Sequence, residues 1–273
     1  MNQPAKLIDA RTIAFLRQWM QVGGDMSVPV LELLKRGCTE SEVVGALEEI
    51  RPKGNALAGG AMNQPPLLRR APPQLRRIES AGFPLYVLDD FLTAEQCAGL
   101  IEIAAARLRP SPLTRAHYDA EFRTSTTANL FEIDDPRARE VDDLICRTIG
   151  IRAAYSEGIQ IQRYEAGQQF KPHLDCFEPG SQTYQRFAGM RGNRTWTFMV
   201  YLNEGMEGGA TRFPVVDVAV QPRMGMALLW NNLHEDGSPD KNTLHCGEPV
   251  TQGFKVIITK WFRVHGDGPV LHE

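Results

Sequence analysis

The chain has 273 residues, of which 42% are apolar and 23% charged, and its formal net charge is −3. This composition is typical of a globular protein, and the length accommodates one large domain, or one domain with a small appendage. The near-neutral charge gives no electrostatic reason to expect DNA, RNA or an anionic membrane as a partner.

The cysteines and the N-terminal sequence indicate a cytoplasmic protein. The five cysteines are scattered and contain no C-x-x-C pair, which is typical of reduced thiols rather than of a disulfide framework. The first twenty residues lack the uninterrupted apolar stretch of a secretory signal. No segment is long and apolar enough for a membrane-spanning helix. We therefore expect a cytoplasmic location and no membrane partner.

Residues 1–50 are predicted to form a helical accessory region. Apolar residues recur with roughly helical spacing over residues 5–21. A better-defined helix is expected over residues 39–50, since Thr39 is a candidate N-cap and Glu42 would complete a capping box. The region is either a structural unit without chemistry, which we favour, or a small docking module for a protein substrate.

The middle of the chain changes character and predicts a domain boundary. Gly and Pro are dense over residues 51–75 and the apolar period is lost there, which favours a linker. The second domain is expected to span residues 76–265. Residues 266–273 are expected to form a short tail.

The first part of this second domain is predicted to mix strands and helices. Strands are expected over residues 83–88 and 122–127. One helix begins at Asp90 or Thr93, and another covers residues 134–150, with Pro in its first turn and Gly after its last. Both helices are expected to cover one sheet from the outside.

After Gly158 the sequence predicts β-structure almost throughout. Short runs rich in β-formers alternate with turn signals, a pattern typical of a sandwich or jelly roll rather than of a parallel sheet. The predicted strands are residues 159–164, 169–175, 195–202, 211–214, 216–220, 226–230, 244–249 and 254–262.

The segment YEAGQQFKPHLD, residues 164–175, places His173 and Asp175 two positions apart. Positions i and i+2 of a strand face the same side, so one imidazole and one carboxylate should project side by side. With one more histidine they would form the 2-His-1-carboxylate triad, which holds Fe(II) and leaves coordination positions open. The H-x-D pattern alone is weak, because it is common by chance.

Six histidines are available for this triad. His245 is the favoured third ligand, because it stands at the start of a strand-like run and would be held rigidly. His234 is the second choice, since it lies in a polar, turn-like stretch. His117 precedes the β region in a loop, while His265 and His272 belong to the Gly- and Pro-containing end of the chain.

Lys255 begins the predicted strand GFKVIITKWF and shares one face with Ile257, Thr259 and Trp261. A buried ammonium is costly unless an anion meets it. No acid nearby in sequence supplies that anion, whereas a cosubstrate with a carboxylate would. Alternatively, the side chain reaches water at the strand end, and the spacing alone leaves both alternatives open.

Five motifs in order and at matching spacing resemble the prolyl 4-hydroxylases, which are Fe(II)- and 2-oxoglutarate-dependent dioxygenases. The resemblance covers about residues 83–263 and leaves the helical N-terminus outside. The motifs are RTS (123–125), RYEAGQQFKPHLD (163–175), YLNEGMEGGATRFP (201–214), P-x-x-G (222–225) and LHCGEPVTQGFKVIITKWFR (244–263).

The resemblance implies a mainly β fold, with a double-stranded β-helix (jelly roll) core, flanking helices and a small N-terminal helical region. It implies that His173, Asp175 and His245 bind the iron. It also implies that Lys255 faces inward and binds the distal carboxylate of 2-oxoglutarate.

The resemblance assigns further binding residues around this core. Tyr164 and Thr211 are expected to hydrogen-bond the cosubstrate. Arg194 and Trp261 match positions that line the peptide substrate. Phe170 stands on the substrate side, where many relatives carry a tyrosine, so the lost hydroxyl leaves the exact substrate open.

The implied activity is hydroxylation of peptidyl proline, coupled to decarboxylation of 2-oxoglutarate to succinate. Fe(II), 2-oxoglutarate and O₂ are the implied cofactors, ascorbate is a further candidate, and a proline-containing peptide or protein is the implied partner. The alternatives are the same chemistry on a free amino acid or another small molecule, or a non-catalytic, cupin-like metal-binding sensor. A mobile segment over residues 109–127 closing an open groove would favour a peptide substrate. The oligomeric state stays open.

Overall fold

A computed structural model describes the chain over residues 8–21, 27–50, 75–111, 121–130 and 134–267. The predicted linker, apart from its last residue, lies outside the described residues. So do His117 and His272, most of the tail and the centre of the segment 109–127. The domain boundaries therefore stay predictions. No helix within the described ranges combines the length and apolar character needed to span a membrane.

Three helices precede the β region. They are α1 (Ala10–Gln21), α2 (Ser27–Lys35) and α3 (Glu40–Glu49). Thr39 and Glu42 form the predicted capping box at the start of α3, whereas α2 was not predicted. Buried side chains of the three helices, including Leu16, Leu33 and Val43, form a hydrophobic core of their own. The partly buried Met190 packs against it.

Further along the described chain, helices and strands appear largely where apolar periodicity predicts them. The helices are α4 (Ala94–Ala105), α5 (Pro136–Ile149) and α6 (Gln182–Ala188). The strands are β1 (Leu75–Arg77), β2 (Leu85–Leu88), β3 (Arg109–Pro110), β4 (Thr126–Asn129), β5 (Gln160–Glu165), β6 (Phe170–His173), β7 (Arg194–Tyr201), β8 (Glu207–Gly208), β9 (Thr211–Phe213), β10 (Val218–Val220), β11 (Ala227–Asn231), β12 (His245–Gly247), β13 (Val250–Gln252) and β14 (Phe254–Arg263).

The strands assemble into antiparallel sheets that together form a jelly roll. The large sheet has eight strands in the order β1-β2-β11-β7-β14-β5-β4-β3, and a smaller sheet has the order β10-β9-β12-β6. Strands β13 and β8 form a short additional pair. The prediction of a mainly β, jelly-roll fold with flanking helices is confirmed.

Helices α4 and α5 cover the outer face of the large sheet, as predicted. Helix α4 starts after Thr93, which forms a capping box with Gln96. Helix α5 is capped by Asp135 and ends at Gly150 in the left-handed conformation. Their apolar faces join the outer side chains of the sheet in one core. Ala105, the last residue of α4, is exposed because the helix ends there.

Strand β14 separates the two cores of the domain. Its even-numbered residues, including Val256 and Ile258, face the helices. Lys260 lies on this outer face, is only 1% exposed, and donates to Asp142 Oδ1 (2.7 Å) and to the Glu157 carbonyl (2.8 Å). The opposite face contributes to a second core between the two sheets. The candidate site lies at this inner face.

The P-x-x-G motif ends in a glycine that the fold requires. Gly225 has φ +77°, and a Cβ there would lie 2.2 Å from the carbonyl oxygen of Leu92, just before α4. Its own carbonyl accepts hydrogen bonds from the amides of Phe91 and Leu92. A side chain at this position would therefore separate the sheet from the start of α4.

We expect Gly225→Ala to lower the free energy of unfolding by at least about 3 kcal/mol, because it combines backbone strain with a backbone clash. Gly237→Ala is the matched control, since Gly237 has φ +84° but open space around a Cβ. Backbone strain alone should lower the free energy of unfolding of this control variant by only about 1 kcal/mol. Urea unfolding of both variants measures the difference, and equal losses would show that the Leu92 contact is unimportant.

Candidate metal centre and cosubstrate cavity

Two imidazoles meet where β6 and β12 pair. His245 lies opposite His173 in the antiparallel register, and their ring centroids are 4.3 Å apart. Asp175 lies two residues beyond the end of β6, in a bend. Its Oδ1 is 3.9 Å from His173 Nε2, and its Oδ2 is 3.8 Å from His245 Nε2.

Backbone carbonyls orient both imidazole rings. His173 Nδ1 lies 2.8 Å from the carbonyl oxygen of Lys171, and His245 Nδ1 lies 2.9 Å from that of Thr243. A carbonyl only accepts, so each Nδ1 carries the proton and donates. Each Nε2 therefore faces Asp175 and is the ring nitrogen left for a metal, which is the arrangement of metal-binding histidines.

Burial and neighbouring charges shift the pKa values of His173 and Asp175. Burial and the proximity of His245 lower the pKa of His173 to about 3, so its ring is neutral at neutral pH. Burial alone would raise the pKa of Asp175, but His245, His173 and Arg194 outweigh it and hold that pKa below its usual range. Two imidazoles and one carboxylate are a ligand set that fits Fe(II). Among the described residues, this is the one cluster of three such side chains.

His234, the second choice for the third ligand, lies elsewhere. Its side chain is 53% exposed, and its Nε2 is 3.7 Å from Asp240 Oδ1. The structure thus brings His245, and not His234, to the His173–Asp175 pair.

A cavity of about 40 Å³ extends from this cluster into the jelly roll. It unites the proposed iron ligands with Lys255, Tyr164 and Thr211, and with Phe170 and Trp261. The lining residues are Gln162, Tyr164, Phe170, His173, Asp175, Met199, Thr211, Trp230, His245, Cys246, Gly247, Lys255, Ile257, Thr259 and Trp261.

Lys255 lies on the inner face of β14 and is 1% exposed. Its Nζ donates to the carbonyl oxygen of Gly209 at 2.7 Å and lies 4.9 Å from the ring centre of Tyr164. Burial lowers the pKa of this ammonium to about 8. No carboxylate of the described residues forms an ion pair with it. The amine therefore does not reach water, and the cavity presents a cation that lacks a matching anion.

Two hydroxyl groups share this end of the cavity. The Tyr164 hydroxyl donates to Gln162 Oε1 at 2.9 Å. Thr211 Oγ1 accepts from the Tyr201 hydroxyl at 2.7 Å, so the Thr211 proton remains available to a further acceptor. Lys255 and Thr211 therefore offer donors to a carboxylate, whereas Tyr164 would have to turn its single proton away from Gln162 to do so.

The three residues predicted to face the substrate differ in how they relate to the cavity. Phe170 stacks on the ring of His173, with centroids 3.5 Å apart. Trp261 lines the cavity, and its buried indole N–H has no hydrogen-bond partner among the described residues. Arg194 stacks on Trp261 at 3.8 Å, but its Nε and Nη2 are held by the two carboxylate oxygens of Glu157 at 2.7 and 2.8 Å. Its guanidinium is thus already anchored beside the site.

Sequence reasoning missed several residues of the site. Gln162 could have been found, because it shares the inner face of β5 with Tyr164. The contacts of Glu157 with Arg194, and of Thr197 with Asp175, join segments far apart in the chain. No local sequence pattern predicts such contacts.

Comparison with known proteins connects this geometry to a family. Residues 159–263 match the family model described as the 2OG-Fe(II) oxygenase superfamily. The chain is 33% identical over 202 residues to "Probable prolyl 4-hydroxylase 10" of Arabidopsis thaliana, covering 66% of this chain and 68% of that protein. It is 33% identical over 182 residues to the human "Prolyl 4-hydroxylase subunit alpha-3", covering 65% of this chain but only 33% of that subunit.

A solved structure shows the same fold. The viral collagen prolyl hydroxylase of Paramecium Bursaria Chlorella virus-1, solved with 2-oxoglutarate, superposes with a TM-score of 0.53 at 23% identity, over 66% of this chain and 96% of that one. The chain belongs to the prolyl 4-hydroxylase family of 2-oxoglutarate- and Fe(II)-dependent oxygenases. It is a dioxygenase that uses Fe(II), 2-oxoglutarate and O₂.

We expect Lys255→Met to weaken binding of 2-oxoglutarate by about 10–100-fold, because a charge-assisted bond to a carboxylate is lost. Calorimetric titration of the Mn(II)-loaded protein, which does not turn over, measures this affinity. Lys241→Met is the control, since Lys241 pairs with Glu178 at the surface and should leave the affinity unchanged. An unaltered affinity in Lys255→Met would mean that the ammonium does not bind the cosubstrate.

The affinity for 2-oxoglutarate should also depend on pH. The free protein binds the dicarboxylate through the protonated Lys255, whose pKa lies at about 8. Affinity should therefore be steady below about pH 8 and fall about tenfold per unit above it. In Lys255→Arg the guanidinium keeps its charge over this range, so the fall should disappear. The same fall in both proteins would assign it to another group.

Proposed function

We propose that this protein hydroxylates proline residues of a peptide or protein substrate at a metal centre formed by His173, Asp175 and His245. The reaction consumes 2-oxoglutarate and O₂ and releases succinate and CO₂. The observation that carries the proposal is the convergence of two imidazoles and a carboxylate beside Lys255, a buried cation with no acidic partner among the described residues.

The cavity residues divide the work of binding. Lys255 pairs with the distal carboxylate of 2-oxoglutarate and the Thr211 hydroxyl donates to it, while the Tyr164 hydroxyl turns from Gln162 to the same carboxylate and helps to fix its orientation. Bound Fe(II) supplies the activation of O₂. The buried apolar walls, including Met199 and Trp230, exclude water from the reacting atoms.

The substrate side is proposed from residues around the metal centre. Phe170, stacked on His173, and Trp261, whose indole N–H meets no acceptor in the described part of the chain, line the cavity beside the proposed iron site. Arg194, anchored by Glu157, holds Trp261 in place through its stacked guanidinium. The names of the relatives support proline as the residue modified. The intact donor set argues against the non-catalytic alternative.

We further propose a reducing compartment, the cytoplasm, as the site of action. All five cysteines are free, which suits an environment that also keeps iron ferrous. Ascorbate is proposed as an additional reductant that would restore Fe(II) after a cycle that oxidises 2-oxoglutarate without hydroxylating the substrate.

Incubation of the protein with Fe(II), 2-oxoglutarate and proline-containing peptides should produce succinate and peptides that gain one oxygen atom, detected by mass spectrometry. His173→Ala and Asp175→Ala should abolish both products, because two ligands do not retain the metal in a reactive geometry. His234→Ala should retain activity, since His234 is exposed and outside the cluster.

Substantial turnover in His173→Ala or Asp175→Ala would refute the ligand assignment. Succinate formation that responds to a free amino acid, with no oxygen gained by any peptide, would instead favour the small-molecule alternative.

A further inference from the structure

The three proposed ligands are not supported in the same way. His173 and His245 are held by strand pairing and by bonds from Nδ1 to backbone carbonyls. Asp175 lies beyond the end of β6, so no strand pairing directs its side chain. Arg194 donates to its backbone carbonyl at 3.3 Å. That contact steadies the main chain and leaves the carboxylate to be oriented by something else.

Thr197 makes the contact that orients this carboxylate. Its Oγ1 donates to Asp175 Oδ2 at 2.7 Å. Thr197 is fully buried on the inner face of β7 and pairs with Trp230 of β11 and Trp261 of β14. A β-branched side chain has few rotamers, and strands on both sides fix its backbone. The Thr197 hydroxyl is therefore held in a fixed position, from which it can orient the Asp175 carboxylate.

Asn232 determines where the Thr197 proton points. Asn232 Nδ2 donates to Thr197 Oγ1 at 2.9 Å, so the single hydroxyl proton is left for Asp175. Asn232 itself is held by its backbone amide, which donates to the carbonyl of Thr195, and by its carbonyl, which accepts from the amide of Asp240. If the side-chain amide were reversed, its oxygen would compete with Asp175 for the same proton.

We propose that Thr197 and Asn232 are positioning residues that select the oxygen with which Asp175 binds the metal. With Oδ2 engaged by Thr197, Oδ1 is the oxygen left free, because no donor among the described residues reaches it. Distance alone does not choose between the two oxygens, since Oδ1 lies 3.9 Å from His173 Nε2 and Oδ2 lies 3.8 Å from His245 Nε2, so the bond from Thr197 makes the difference. This inference rests on the metal site of the proposed function and adds the residues that orient its carboxylate.

Loss of the Thr197 hydroxyl should weaken metal binding itself, independently of any effect on the reaction. The carboxylate of Asp175 is buried, so without its donor it would lose a charge-assisted bond and gain rotational freedom. Removing such a partner of a ligand typically weakens metal binding about 10–100-fold. The effect should therefore appear in metal binding without cosubstrate, substrate or turnover.

The test is a calorimetric titration of the metal-free, full-length protein with Mn(II) in the absence of 2-oxoglutarate. Thr197→Val keeps the branched shape but removes the hydroxyl, and should weaken Mn(II) binding about 10–100-fold. Thr197→Ser should bind nearly as tightly as the wild type, because it keeps the donor.

Thr195→Val is the matched control. Thr195 is a buried threonine on the same strand, but its hydroxyl donates to the carbonyl of Phe262 at 3.1 Å and not to a proposed ligand. It should lower the melting temperature of the metal-free protein and leave Mn(II) affinity unchanged. Asn232→Asp is a second, independent variant, because its carboxylate would draw the Thr197 proton away from Asp175 and should also weaken Mn(II) binding.

Each outcome separates this inference from the proposed function. A wild-type protein that fails to bind Mn(II) would refute the metal site itself. Tight binding in the wild type with equal affinity in Thr197→Val would refute the positioning role. Equal weakening in Thr197→Val and Thr195→Val would also overturn it, since a general packing defect would then be the cause. Should Thr197→Val fail to fold, unchanged Mn(II) affinity in Asn232→Asp would overturn the inference.

Discussion

The pairing of β6 with β12 is the constraint on which the site depends, because it sets His173 opposite His245. Antiparallel pairing fixes the relative position of two segments that the sequence holds far apart. The cosubstrate end is built by the same means in the other sheet, where Lys255 of β14 lies opposite Tyr164 of β5. The interior between the sheets thus receives metal-binding groups from one wall and a cation from the other.

The parts of this arrangement that follow local rules could be predicted from the sequence. Alternation along β14 placed Lys255 on one face with Ile257, Thr259 and Trp261, and the family resemblance identified that face as the inner one. The capping box located the start of α3, and Pro in the first turn located that of α5. The proximity of His173 and Asp175 was also expected, but the reason differs in part. The strand ends at His173, and a bend rather than a continued strand brings Asp175 alongside.

Contacts between residues far apart in the chain could not be predicted from the sequence. Glu157 holds Arg194, Tyr201 donates to Thr211, and Thr197 donates to Asp175 only because the sheets bring these residues together. A single sequence carries no period that links such positions. Helices α2 and α6 were missed because they are short, and their apolar patterns are too brief to stand out.

The two lysines of β14 have a consequence for folding. Lys255 faces the interior between the sheets, while Lys260 faces the helices and meets Asp142. A slip of this strand by one residue would exchange its faces, and each ammonium would then enter an apolar wall without its oxygen partners. Misaligned forms of the central strand therefore carry an electrostatic penalty. The buried charges of Lys255 and Lys260 thus favour the correct register of the sheet during folding.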